Sequence, residues 1–323
     1  MNTAICTLFE GHYHFGVATL SNSLFKSGFR GTIYIGYRGE LPDWSLQGKR
    51  KTVGKWKEAN TLNPVEGLEL VFLELLTTYS LTNYKPDFML DLWQGPAKDA
   101  DALFYFDPDI VVYDSWISFE QWVNCGVALS EDINSPLQQF HPRRVGWRSY
   151  FKDFNIDLKF VNEIYVNGGF IGLLKKDVSF LNLWIQLQES MGLSIGGLES
   201  SIFSKAAVES AVIKLEEYKI FSKSDQDALN ATIEVYHGNI SYFGKEGMGF
   251  ESGHTSMYHA LGANKPWKIN HLLRAIQGNS PREVDLVYWN NAKYPIYAHS
   301  SFEILKAKLN MKIAKFIGRF YRK

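Results

Sequence analysis

Phe104-Tyr105-Phe106-Asp107-Pro108-Asp109-Ile110-Val111-Val112 sets two carboxylates between two apolar runs. The first run, residues 103–106, reads as a buried strand that stops at Asp107, because Pro108 has no amide hydrogen to give to a ladder. In an extended chain, carboxylates at i and i+2 point to opposite faces. A turn or bulge at Pro108 would bring both to one cation. Two unpaired carboxylates beside a core repel each other and resist desolvation, and a divalent ion relieves both penalties. Alone, Asp-x-Asp is a common pattern, and a polar strand-to-loop turn also accounts for it. An EF-hand is excluded, since Val112 stands at the loop-glycine position and Ser118 at the closing-glutamate position.

Upstream, residues 4–8 predict a first strand and residues 16–25 a helix, with Val17, Leu20 and Leu24 at helical spacing. Residues 31–36 return to strand character. A β-α-β opening implies a parallel sheet with nucleotide chemistry at its carboxyl edge. The basic, polar stretch 49–63 predicts a loop, and residues 67–79 a helix. Downstream, strands are expected at 126–129 and 164–174, and a helix at 178–188. Residues 190–200 and 244–253 are rich in small residues and read as flexible. With no repeat, low-complexity tract or linker, the economical reading is one α/β domain with a C-terminal extension.

A chain of 323 residues can bury a full core, and 46% hydrophobic with 21% charged residues excludes disorder and fibre. Lys plus Arg equals Asp plus Glu at 34 each, so any electrostatic role must be local. The aromatic residues could stack on bases or sugars, but most rings belong to a core. Cys6 and Cys125 make neither a disulfide framework nor a zinc site, which points to a reducing compartment. The first lysine is Lys26, so the basic lead of a signal peptide is missing, and no apolar stretch reaches membrane-span length. A cytoplasmic location is the expectation.

Three further segments resemble the family 8 glycosyltransferases, the group that includes bacterial lipopolysaccharide galactosyltransferases and glycogenin. Tyr165-Val166-Asn167-Gly168-Gly169-Phe170-Ile171-Gly172-Leu173 is similar to the family's strand beside the donor sugar. Asp225-Gln226-Asp227-Ala228-Leu229-Asn230 is similar to its Asp-Gln-Asp-x-Leu-Asn motif. His259-Ala260-Leu261-Gly262-Ala263-Asn264-Lys265-Pro266-Trp267 is similar to its His-x-x-Gly-x-x-Lys-Pro-Trp motif, the most specific of the three. The resemblance spans roughly residues 3 to 268. It implies a GT-A fold, a Rossmann-like mixed sheet flanked by helices, over residues 1–270, with a helical extension over 271–323.

The resemblance also implies site roles. Asp107, Asp109 and His259 would hold a divalent ion, Phe106 and Pro108 flanking the acidic pair. A nitrogen ligand among oxygens favours manganese, with magnesium possible. Lys265 would add a fixed cation at the departing phosphates, and Gly262 would allow close backbone approach. His259 lies in a helix-like segment, and His254 is the rival ligand. Asp225 would accept hydrogen bonds from the donor sugar. Asp227 would do the same or orient the loop; the competing account is an Asp-rich helix start capped by Ser224. Gln226 would face the reacting side of the sugar. An amide is a poor nucleophile, so front-face attack with retained stereochemistry is expected. Asn167 would bond sugar or acceptor, and Gly168 and Gly169 would give backbone access or simply pack. Thr7, Glu10, His12 and Tyr13 occupy the base-binding position. The family usually shows Asp and Asn where Glu10 and His12 stand, so UDP is favoured only by analogy. Lys85 aligns with a basic donor-binding residue, an exposed surface lysine being the alternative. Pro266 and Trp267 would pack the lysine loop.

Residues 301–323 carry seven Lys or Arg and one acid, Glu303, with apolar residues at helical spacing. Such a helix suits an anionic membrane surface, or packs on the domain with a solvated basic face. Nucleic-acid binding has no accompanying motif. The partners expected are therefore a nucleotide sugar, a saccharide acceptor and the inner face of the plasma membrane. The rival functions are a sugar nucleotidyltransferase and a non-catalytic glycan-binding scaffold. The former calls for a Gly-rich basic loop after the first strand, which Phe9-Glu10-Gly11-His12 is not. Acceptor contacts would come from loops within 136–162 and 190–205.

Overall fold

The computed structural model describes residues 1–199 and 219–320. Strand β1 (Thr3–Glu10) is buried along all but its last residue. Its alternate side chains divide between two cores, Ala4, Cys6 and Leu8 to one face, Ile5 and Phe9 to the other. A strand covered on both faces shows no polar alternation, which is why it reads as a continuous apolar run. Helix α1 (His14–Lys26) crosses back, and β2 (Gly31–Arg38) lies parallel to β1 with Ile5 opposite Ile33. Strands β3 (Lys49–Val53), β4 (Trp56–Val65) and β5 (Leu68–Glu74) form an antiparallel meander, β5 pairing parallel to β2. Helix α2 (Lys85–Gln94) precedes β6 (Ala102–Phe106), which pairs parallel to β1 on its other side.

The chain then leaves the sheet at Asp107. Short β7 (Ile110–Val112), helix α3 (Trp116–Val123), β8 (Val127–Ser130) and helix α4 (Pro142–Lys152) follow. After them come β9 (Phe170–Leu174), helices α5 (Ser179–Ile195) and α6 (Ser224–Ile233), β10 (Ile240–Phe243) and β11 (Met257–His259). The nine-stranded sheet runs β10-β8-β9-β6-β1-β2-β5-β4-β3, with β9 antiparallel to its neighbours β6 and β8. A separate antiparallel pair joins β7 to β11.

Several expectations are corrected. Residues 49–63 are not a loop but the two outer strands of the meander; β3 is an edge strand whose lysines and arginine face water and discourage edge pairing. Residues 67–79 hold a strand, not a helix. Leu68, Leu70, Val71, Phe72 and Leu73 are all buried, and a strand buried on both faces cannot be told from a buried helix by periodicity. The strand expected at 164–174 begins only at Phe170; before it, one bridge between Glu131 and Val166 is the strand-like pairing. Residues 190–195 continue α5, and residues 200–205 lie outside the described residues. His259 sits on a strand rather than a helix.

Beyond residue 270, helices α7 (His271–Ile276), α8 (Glu283–Asn291) and α9 (Ser301–Ile317) follow. Asn22 of α1 ties this segment down, donating to the carbonyls of Asn291 (3.0 Å) and Ile296 (2.9 Å) and accepting from the Ile296 amide (2.8 Å). Val111 of β7 packs with Val287 and Tyr288. His299 stacks on Phe15 at 4.6 Å, and its Nε2 lies 2.8 Å from the Tyr288 hydroxyl. Burial pushes its pKa down to about 4. The unfolded chain therefore takes up this proton first on acidification. The contribution to stability is intact above about pH 6.5 and is lost as pH falls toward 4. Calorimetry at pH 7 and pH 4.5 should show wild type losing about 2 kcal/mol more than His299→Gln; parallel losses would rule the term out.

Candidate functional site

Two pieces of backbone geometry bring the acidic pair together. The Ile110 amide donates to the Asp107 carbonyl at 3.0 Å, closing a tight turn around Pro108. The β7–β11 ladder then places His259 opposite Ile110, and the Ala260 amide bonds the Asp109 carbonyl at 3.1 Å. One ligand atom from each of Asp107, Asp109 and His259 lies within 4.8 Å of the others. His259 Nε2 is 3.3 Å from Asp109 Oδ1 and 3.9 Å from Asp107 Oδ2. His254 is absent from this group: it is exposed and sits 3.0 Å from Asp114.

Each carboxylate is anchored on one side and open on the other. Asp107 Oδ1 accepts from the Tyr105 hydroxyl at 2.8 Å and lies 3.1 Å from Lys85 Nζ, leaving Oδ2 toward His259. Asp109 is buried and its Oδ2 takes the Lys265 ammonium, which also donates to the Ala260 carbonyl at 2.8 Å. Burial alone would raise the Asp109 pKa, but His259 and Lys265 outweigh it and hold the carboxyl well below its usual range. Asp109 is therefore ionised at neutral pH.

Lys85 opens α2 and is 2% exposed, so the surface-lysine alternative is excluded. It donates to Asp225 Oδ2 at 2.8 Å and to the Gly168 carbonyl at 2.9 Å. Burial would lower its pKa, yet Asp107 and Asp225 raise it above the ordinary lysine value. Lys85 thus bridges the acidic turn to the start of α6. Trp184 of α5 steadies that start, its indole N–H on the Asp225 carbonyl at 3.3 Å.

The helix start is not capped as expected. Lys223 holds the N-cap position, its amide donating to Asp227 Oδ2 at 2.7 Å, while the Ser224 hydroxyl turns to Asn83. Asp227 is fully buried and also accepts from the Tyr165 hydroxyl at 2.7 Å, so it orients the loop. Asn230 clamps Val166 through both backbone groups, at 2.8 and 2.9 Å. That clamp holds the 166–168 backbone across from α6. There Gln226 Oε1 accepts the Gly168 amide at 3.1 Å, and its buried Nε2 has no hydrogen-bond partner among the described residues.

Glycines allow this crowding. A Cβ on Gly169 would come within 2.6 Å of His259 Cε1 and 3.0 Å of Asp107 Oδ2. A Cβ on Gly168 would lie 3.1 Å from Asp225 Oδ2. Gly16, at the start of α1, backs the Pro108 carbonyl so closely that a Cβ would sit 2.1 Å from it. Gly262 is different: its φ of +79° demands the left-handed region, and nothing protein-borne approaches it.

At the other end, Glu10 pairs with Arg38 at 2.7 Å, the two residues opposite each other at the carboxyl ends of β1 and β2. His12 stacks on Tyr13 at 4.6 Å, and its Nδ1 accepts the Trp267 indole N–H at 3.0 Å. Burial and then the nearby Lys268 lower the His12 pKa, so the ring is neutral with its hydrogen on Nε2. Trp267 packs against Tyr13 and Tyr288 and fixes the lysine loop. Thr7 is fully buried in β1, and the Phe106 ring is spent on Phe119 and Phe170, leaving its backbone for any ligand. Sequence reasoning missed Tyr105 and Asp132. Asp132 lies two residues past the carboxyl end of β8, on the same edge as Asp107, and an acid just past an apolar run was the available signal.

A mixed sheet flanked by helices, with an Asp-x-Asp turn at the end of a central strand, is the GT-A architecture. Among solved structures, the chain is similar to the apo WbbM bifunctional glycosyltransferase, with a TM-score of 0.50 at 12% identity over 96% of this chain. It spans about half of that chain, 52%. It is also similar to the glycosyltransferase GlyE of Streptococcus pneumoniae TIGR4, with a TM-score of 0.49 at 15% identity, covering 94% of this chain and 63% of that one. The galactosyltransferase LgtC, in complex with donor and acceptor sugar analogues, gives 0.41 at 16% identity, covering 82% and 89%. No family model matches the sequence, and neither does any curated protein.

Proposed function

We propose that the chain is a divalent-metal-dependent, retaining glycosyltransferase that moves a hexose from a UDP-sugar to a saccharide acceptor of the cell surface. The observation that carries this reading is the convergence of the Asp107, Asp109 and His259 ligand atoms within 4.8 Å. The donor set fits a cation: two carboxylates, each with one oxygen turned from its lysine, and an imidazole nitrogen converge on one point. Manganese suits one nitrogen among oxygens better than magnesium does. A cation held there would neutralise charge on the departing diphosphate.

The protein's own residues supply the rest. Lys265, poised at Asp109, adds a fixed positive charge for the leaving group. Asp225, whose Oδ2 is held by Lys85, offers its other oxygen to donor hydroxyls. Gln226 turns its carbonyl oxygen to the Gly168 amide, so the group it has free is an N–H donor, not a nucleophile. That supports front-face attack, with the leaving phosphate taking the acceptor proton. At the base, Glu10 can accept and the Nε2–H of His12 can donate. This pair can complement the N3–H and O4 of uracil, as it can the N1–H and O6 of guanine.

The reading is tested by thermal shift with UDP-glucose, UDP-galactose, CDP-glucose and ADP-glucose, each with and without manganese. A UDP-sugar at about a hundred times its Kd should stabilise by about 2.7 kcal/mol, and only with metal present. Proton NMR of the product should show the donor's anomeric configuration; inversion would overturn the front-face mechanism.

Among the described residues no helix is long and apolar enough to cross a membrane. Helix α9 buries Ile304, Met311 and Ala314 against the domain. Its opposite face exposes Phe302, Leu305, Leu309, Ile313 and Phe316 in one stripe, flanked by Lys308, Lys312 and Lys315. We read this as a surface for anionic lipid on the cytoplasmic side, each lysine adding about 1 kcal/mol near it. Residues 321–323 lie outside the described residues. Cosedimentation with phosphatidylglycerol vesicles should weaken at least tenfold in Leu309→Glu/Phe316→Glu, since each apolar side chain buried is worth about 1.5–3 kcal/mol. Unchanged binding after removal of residues 301–323 would defeat the idea.

A further inference from the structure

We propose that a groove between the 39–44 loop and the C-terminal extension binds a neutral saccharide chain, with Trp44 and Tyr297 as its stacking platforms. Two hollows form it. The larger, about 810 Å³, is lined from Gly11 and Arg38 to Trp44 and Tyr297, and its volume falls in the range of small-molecule sites. The smaller, about 190 Å³, continues to Pro64 of β4 and shares Asp43, Trp44 and Tyr297 with the first. The inference does not depend on the transfer reaction proposed above, because none of Asp107, Asp109 and His259 lines either hollow.

Both rings stand on backbone that is already fixed. The Trp44 indole N–H donates to His14 Nδ1 at 3.2 Å, and the ring meets Phe72 edge-on at 5.6 Å. Its loop is tied to β4, where Asn60 Nδ2 donates to the Ser45 carbonyl at 2.8 Å. Tyr297 follows Ile296, whose amide and carbonyl are both bonded to Asn22 of α1. Its ring is nonetheless 61% exposed. An aromatic ring held beside a cavity by such a frame loses little freedom when a ligand stacks on it. With its N–H spent, Trp44 offers a face rather than a hydrogen bond, and the C–H face of a sugar ring is an apolar surface that matches it. The charges on the walls disfavour an anion. Among the described residues, Arg38 is the one lysine or arginine lining the groove, and Glu10 neutralises it at 2.7 Å. Glu40 and Asp43 stand exposed on the same walls. Their carboxylates repel phosphate or uronate groups but accept hydrogen bonds from hydroxyls. A nucleotide brings phosphates against these acids, whereas a neutral, hydroxyl-rich chain suits both the rings and the walls.

The experiment is fluorine NMR of the full chain labelled with fluorotryptophan, the Trp44 signal being assigned with Trp44→Phe. Metal-free protein is titrated with maltotetraose, cellotetraose and a β-galactan tetrasaccharide, and with a galacturonan tetrasaccharide as the anionic counterpart. At least one neutral chain should shift the Trp44 signal saturably, with Kd on the order of 1 mM. The galacturonan should bind at least about tenfold more weakly. Tyr297→Ala should weaken binding about tenfold, the cost of one lost stacking ring, and Trp44→Ala likewise. A Trp44 signal that no neutral chain moves would overturn the inference, and so would equal binding of the galacturonan or full affinity in Tyr297→Ala. That ring is exposed, so its variant folds and decides the matter even where Trp44→Ala does not fold. Repeating the titration with UDP and manganese separates this groove from the donor cleft. Unchanged saccharide binding is expected, and its loss would put the saccharide in that cleft and overturn the inference. Failure of UDP to bind would strike the transferase reading and leave the groove standing.

Discussion

Gly169→Ala is expected to lower manganese affinity at least 100-fold and glycosyl transfer about 1000-fold, while leaving the chain folded. The added carbon would lie 2.6 Å from His259 Cε1, 2.8 Å from Asn167 Oδ1 and 3.0 Å from Asp107 Oδ2. Separations of this kind cannot persist, and none of the three neighbours is free to yield. His259 is pinned by the β7–β11 ladder, Asn167 by Asp132, and Asp107 by Tyr105 and Lys85. The strain must therefore appear as displaced ligands, and ligand misplacement near 1 Å costs on the order of 100-fold in rate on its own. Gly169 is not among the glycines with positive φ, so alanine meets no backbone penalty and the effect isolates the steric cause. The cost to stability should be about 1–3 kcal/mol, typical of one inserted carbon. Gly262→Ala is the matched control. Its φ of +79° makes it lose about 1–2 kcal/mol of stability through the backbone, with open space around the new carbon. Manganese affinity near wild type in Gly169→Ala would show that the three side chains do not define the cation site.

Much of this arrangement was legible in the chain, and the parts that were not share a physical cause. The β1-α1-β2 opening and the acidic turn announce themselves because their signals are local: an apolar run, a helical period, a proline that ends a ladder. The His259 to Trp267 segment is legible by spacing, although its strand geometry is not, since β11 is only three residues long and held by pairing with β7. The β3–β5 meander was misread for opposite reasons at its two ends. An edge strand of lysines resembles a loop, and a strand buried on both faces resembles a helix. Tyr105 was passed over as one more ring in an apolar strand, yet its hydroxyl reaches Asp107. Asn167 was assigned to sugar on its position in a motif. What its amide does is decided by Asp132 and Gly169, and no local pattern records which way round an amide lies.

Lys85→Met should destabilise the protein by about 3–5 kcal/mol, because it removes one partner from a buried set of charges. Methionine keeps most of the side-chain volume, so packing loss is a minor part of the effect. What remains is two carboxylates, Asp107 and Asp225, without the ammonium that lies 3.1 and 2.8 Å from them, and a Gly168 carbonyl without its donor. For a chain of this size each kcal/mol moves Tm by roughly 2–4 °C, so a fall of about 6–20 °C is expected. Lys85→Met/Asp225→Asn should recover part of it by removing one stranded charge, with a coupling energy of about 1–3 kcal/mol. Donor affinity should not recover in the double variant, because Asp225 is also proposed to hold the sugar. That separation of stability from binding is the informative part of the cycle. If Lys85 served packing alone, the two substitutions would simply add. If it bridges the acidic turn to α6, stability returns while the sugar site stays impaired. A Tm within 1 °C of wild type for Lys85→Met would mean that the ammonium is not balancing these acids, and the electrostatic frame assigned to the site would have to be abandoned.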